Sequence, residues 1–157
     1  MWLALTALGT IAAELLSRRV KAIESVLLLL KRIELEVRQF SSPFPQLMEK
    51  IANEEKESGI ADDCVRRLNA GESFPKAWEN GIKNSRLPFK KEERIVLSRL
   101  GKSLSACDRE GVFQVLGICS ERFELFLSEA KQTKEKYSKL CLFSGVFVGG
   151  MIFISIS

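Results

Sequence analysis

The chain has 157 residues, 46% of them hydrophobic and 28% charged, enough for one domain with a core and some apolar surplus. It carries 24 Lys and Arg against 20 Asp and Glu, a net charge of +4, and no His. The lack of His removes the commonest general base, the commonest metal ligand and any Ser/His or Cys/His nucleophile.

Every Lys and Arg falls between Arg18 and Lys139, so a charged middle is flanked by two apolar ends. The opening, MWLALTALGTIAAELLSRR, has its positive residues after the apolar run, the reverse of a secretory signal peptide. Residues 1–17 are therefore expected as a membrane helix with its N-terminus outward, because Arg18, Arg19 and Lys21 favour the cytosolic side. A cleaved leader in front of an exported domain is the alternative. Glu14 is placed to pair with Arg18 at i+4 near the membrane interface, or to meet a partner inside the membrane.

From about Ser17 to Phe40, Ile23, Val26, Leu30, Ile33, Val37 and Phe40 follow a 3-4 spacing, the seam of a heptad helix. Leu28 and Leu35 add a second apolar stripe, which predicts a helix central to a bundle. Ser42-Pro43 opens a second helix with Phe44, Leu47, Met48 and Ile51 on one face, and Gly59 is expected to stop it. A third, with Ile60, Cys64, Val65 and Leu68 inward, ends at Gly71. Ser73 caps a fourth carrying Phe74, Ala77, Trp78 and Ile82, and Leu87-Pro88 is a loop. The fifth starts at Lys90, turns Ile95, Val96, Leu97, Leu100 and Leu104 inward and ends near Ala106, before a break at 107–111.

Val112, Leu116, Cys119, Phe123, Phe126, Ala130, Thr133, Tyr137 and Leu140 then hold one seam from the break into the tail without a stop signal. Residues 140–157 have no charge and approach the roughly 30 Å needed to cross a bilayer. A buried core helix is the alternative. Gly145, Gly149 and Gly150 are candidate packing contacts there, since Gly145-x-x-x-Gly149 lets another membrane helix approach closely. The expected fold is thus all-α: a cytosolic antiparallel bundle of about six helices over 18–139, between an N-terminal and a C-terminal membrane helix. The first and last helices should pair antiparallel as a stalk.

Little in the sequence carries chemistry. The four cysteines have no C-x-x-C spacing and read as small hydrophobes. No glycine-rich phosphate loop is present, and the acidic pairs Glu54-Glu55, Asp62-Asp63 and Glu92-Glu93 read as solvated faces. An enzyme is not expected, nor a cofactor or metal. Basic residues alternate with acidic ones along the helices, which argues against nucleic-acid binding. Trp78 reads as core, with a surface anchor as the alternative.

The ordered set Trp2-Leu3, Arg18-Arg19, Ile33-Glu34-Leu35-Glu36-Val37, Lys50-Ile51-Ala52, Gly71-Glu72-Ser73-Phe74, Ala77-Trp78-Glu79, Leu100-Gly101, Leu104, Cys107-Asp108-Arg109-Glu110 and Lys136-Tyr137 resembles the stage III sporulation protein AB family along the whole chain. Ser105 and Val112 stand where that pattern has Gly and Gln, Cys141 where a Gly is common, and Arg19-Val20 where it has Arg-Pro. The resemblance implies a fold similar to the F-type platform proteins of type II secretion. It implies a platform in the mother-cell membrane around the forespore, within a channel assembly needed for endospore formation. Partners would be the assembly's ATPase and its other membrane proteins, with a homo-oligomer as a further option. Trp78, Asp108 and Arg109 are candidate partner contacts. The rivals are an exported or membrane-anchored helical binding domain unrelated to sporulation and a peripheral enzyme that has lost its motifs.

Overall fold

The computed structural model describes the backbone of residues 2–39, 43–54 and 59–156, and the side chains of 11–39, 43–54, 59–141 and 143. Among the described residues six helices follow one another: α1 Trp2–Gln39, α2 Phe44–Glu54, α3 Gly59–Asn69, α4 Phe74–Asn84, α5 Lys91–Ala106 and α6 Arg109–Ile156. No strand occurs among the described residues, so the all-α class holds. Each helix packs on the next in the chain and α6 closes back on α1, which makes a ring around one core.

The core is built from the seams. Ile23, Val26, Leu30 and Ile33 of α1 meet Val112, Leu116, Cys119 and Phe123 of α6, all buried in one cluster with Trp78 and Leu97. The two helices run antiparallel: Arg109 Nη2 reaches the carbonyls of Val37 and Arg38, while Lys134 Nζ lies 3.3 Å from Ser17 Oγ at the other end. The expected stalk pair is therefore present.

The short helices join by local chemistry that the sequence foreshadows. Gly71 takes φ +91°, open to glycine at low cost, and lets Glu72 N donate to Arg67 O and Gly71 N to Leu68 O, which closes the end of α3. Ser73 sits at the α4 N-cap, although its hydroxyl makes no cap bond, and Pro75 follows in the first turn. The loop through Leu87-Pro88 is held by Arg94, whose guanidinium donates to the carbonyls of Ile82, Ser85 and Leu87. Trp78 fills the centre, with Nε1 donating to Leu97 O at 2.7 Å. Gly101 makes room for it, since a Cβ there would lie 2.3 Å from Trp78 Cδ1.

Several expectations are corrected. Leu28 and Leu35 are not a second contact stripe; at 63% and 45% exposure they lie opposite the seam, and the second buried line of α1 runs through Ala22 and Leu29. The helix lies in a ring and is not central. Gly59 is the first residue of α3, and α2 already ends at Glu54. Ile95 is exposed, because Leu97, Leu100 and Leu104 already occupy the inward face of α5. The break is only Cys107 and Asp108. The α6 seam is buried as far as Ala130, whereas Tyr137 and Leu140 are exposed because among the described residues no third helix reaches them. Phe40, Ser42 and Glu55 lie outside the described residues.

Candidate functional site

Of the residues singled out from sequence, Trp78 is wholly buried and offers no partner a surface, so its core role stands and its contact role does not. Asp108 and Arg109 are exposed and serve the fold. Asp108 Oδ1 accepts from Gly111 N at 3.0 Å, capping α6, and Arg109 closes the last carbonyls of α1. Ser105 returns its hydroxyl to Gly101 O at 3.1 Å, and Val112 joins the core. Gly145, Gly149 and Gly150 are on the helical path of α6, but their surroundings lie outside the described residues.

A buried joint escaped the sequence. Glu93, read with Glu92 as a solvated pair, is fully buried; its Oε1 accepts from Arg19 Nη2 at 2.5 Å and its Oε2 from Lys90 N at 2.7 Å. Arg19, assigned to the membrane boundary, instead folds inward to it. Adjacent helical residues point about 100° apart, so one of two neighbouring acids can face the core while the other faces water. This joint fastens the fifth helix to the first, where the ring ends and the bare stalk begins.

Beyond the joint, basic residues of two distant segments come together. Arg18 and Lys21 of α1 share a level with Lys131 and Lys134 of α6, as the Lys134–Ser17 contact and the 3.0 Å Lys131–Glu24 ion pair show. The expected Glu14–Arg18 pair forms at 2.7 Å. Outward of this collar, Ile11 and Leu15 on one helix and Tyr137, Leu140 and Phe143 on the other are exposed. Among the described residues no helix is long and apolar enough to cross a membrane. Residues 1–10 and 144–157, which hold most of both expected spans, are outside the side chains described.

On the opposite flank of α6 lies a groove of about 470 Å³ shared with α5. Val96 and Leu100 from α5 and Val115, Cys119 and Phe126 from α6 line it, with Ile95 and Ile118 at the surface. Arg99 and Arg122 stand one on each helix, and Glu92 stands where α5 begins. No sequence signal marked this groove: Ile118 is off the α6 seam, and periodicity identifies faces without saying which remain uncovered.

Catalytic furniture is sparse. Among the described residues no three His, Cys, Asp or Glu groups converge to hold a metal. Burial pushes the Cys64 and Cys119 thiols up to about 12, so both are protonated and unreactive at neutral pH.

These features define a class: a six-helix ring bundle extended by an antiparallel stalk. A profile of the stage III sporulation protein AB family matches residues 1–156, and the chain belongs to that family. A solved structure of a stage III sporulation protein AB (SpoIIIAB) superposes with a TM-score of 0.68 at 23% identity, covering 76% of this chain and 98% of that one. That likeness establishes the shared fold. No curated protein sequence matches. Membership assigns the chain a part in sporulation.

Proposed function

We propose that the chain is a non-enzymatic, membrane-held platform in a secretion-like channel assembly between mother cell and forespore, with its bundle in the mother-cell cytosol. Two ends of the chain insert in the same membrane, and the bundle meets the assembly's ATPase. The observation that carries this reading is the stalk. Antiparallel pairing brings Arg18, Lys21, Lys131 and Lys134 to one level, Arg18 and Lys131 paired with Glu14 and Glu24, and beyond it Lys136 and Lys139 outnumber Glu135 among exposed apolar side chains, so the band is net positive. A cationic band followed by apolar residues and a tyrosine is the pattern of a cytosolic membrane boundary. The apolar, uncharged stretch 140–156 continues the same helix.

Cysteine accessibility tests the topology. With the native cysteines replaced and Asn84→Cys introduced, an impermeant thiol reagent should fail to label intact cells and should label after lysis. Labelling of intact cells would end the cytosolic assignment. Gly145, Gly149 and Gly150 give the tail a further role, close packing with partner membrane helices. Gly149→Leu should leave the protein in the membrane fraction and lower recovery of the assembly; unchanged recovery and normal sporulation would reduce the tail to an anchor.

A further inference from the structure

We infer that the α5–α6 groove is a docking site for an amphipathic helix of a partner protein whose apolar stripe is flanked by carboxylates. Its biological setting rests on the platform reading, but the groove's chemistry does not.

The groove combines two properties seldom left uncovered on a stable surface. Its floor is apolar, and Ile118, 63% exposed, projects from α6 with no covering element among the described residues. Leu125, also 63% exposed, lies seven residues further, two turns along that face, so the apolar stripe extends beyond the groove. The lining of α5 runs from Glu92 to Ser103, roughly 16 Å or three turns of helix. That length and an aliphatic floor suit the i, i+3, i+4, i+7 anchors of a bound helix.

The charges select the occupant. Some cations of this bundle have an acid, as Arg19 has Glu93, Arg32 has Glu54, Lys102 has Glu79 and Lys131 has Glu24, while others, Lys21 and Arg86 among them, have none among the described residues. Arg99 and Arg122 have none among the described residues, yet they stand on the two helices that wall the groove. Two unanswered guanidiniums beside an apolar strip fit carboxylates on the edges of a partner stripe, and they repel a basic helix. Glu92 disfavours a further acid where α5 begins, which gives the bound helix a direction.

The test uses the full chain in lipid nanodiscs and two synthetic helical peptides of about 15 residues, sized to the groove. One carries a leucine stripe edged by Glu; its twin has Lys at each Glu position. Anisotropy titration should give about tenfold tighter binding of the Glu peptide. Arg99→Glu with Arg122→Glu should invert that preference, and Ile118→Ser should abolish binding while helicity is unchanged. Equal binding of the twins, no binding of either, or binding indifferent to Ile118→Ser would overturn the proposal. So would self-association that Ile118→Ser removes, because the occupant would then be a second copy. Membrane fractionation in the same preparation is scored separately: its failure would strike the platform reading and leave the peptide result standing.

Discussion

Residues 20–37 of α1 with 112–130 of α6, and residues 11–18 with 131–143, are two lengths of the same helix pair. The first length buries its seam, with Ile23, Ile33, Leu116 and Phe123 wholly inaccessible. The second keeps apolar positions at helical spacing but leaves Leu15, Tyr137 and Leu140 in the open. The difference is a third layer. Along the first length α2 and α5 cover the flanks of the pair, whereas two bare helices cannot surround any side chain. An apolar seam that outlasts its bundle therefore calls for another environment, and a membrane or a partner would supply it.

The largest effect should come from placing a charge at matched levels on either side of this boundary. Leu30→Asp puts a carboxylate at a position only 1% exposed and should cost about 4 kcal/mol. Tyr137→Asp, at a 44% exposed position, should change the unfolding midpoint of the bundle by less than about 0.5 kcal/mol. Comparable losses in denaturant titrations would erase the contrast between the two lengths.

The boundary itself is set by the Arg19–Glu93 joint. Removing one partner strands a buried ion, so Glu93→Leu alone should destabilise by about 3 kcal/mol. Adding Arg19→Met should recover most of this, short of the cap that Glu93 gives to Lys90 N. A double variant no better than the single would mean that the pair does not act as a unit.

How far the sequence foretold this arrangement depends on the range of the interaction. The six helices and the glycine ending at Gly71 follow from local chemistry, and the α1–α6 pairing, although it joins residues as far as 117 apart, was expected because two long seams match and both ends were expected in one membrane. The Arg19–Glu93 joint links residues 74 apart and has no local signature. The exposed Leu28, Leu35 and Ile95 show the same boundary from the other side: each is apolar and in a helix, yet burial depended on which neighbour arrived. Asp108 was visible as a motif residue, but its work as the cap of α6 depends on the carboxylate turning back to Gly111 N.

At the other end of the buried length, Asp108→Ala should cost about 1 kcal/mol, with Asp108→Asn nearly neutral because the amide oxygen can take the same bond. Equal losses in thermal melts would assign the residue's contribution to its charge at the helix N-terminus and not to the cap.

The finest distinction is chemical and lies on α6 alone. Cys119 sits within the covered length, and burial raises its thiol from 9.0 to about 12. The folded state therefore favours the protonated form. Below about pH 9 both folded and unfolded chains hold that proton and pH has no effect through this group; as pH rises from about 9 towards about 12 the unfolded chain ionises first, so folding loses stability. Lysines titrate in the same range, so the measurement is the difference in stability between wild type and Cys119→Ala as a function of pH. That difference should be constant up to about pH 9 and then move against the wild type. In parallel, at neutral pH a polar disulfide reagent should modify exposed Cys107 and spare Cys119. A flat difference across the alkaline range, or ready labelling of Cys119 in the folded chain, would show that the covered length opens to water as freely as the bare stalk.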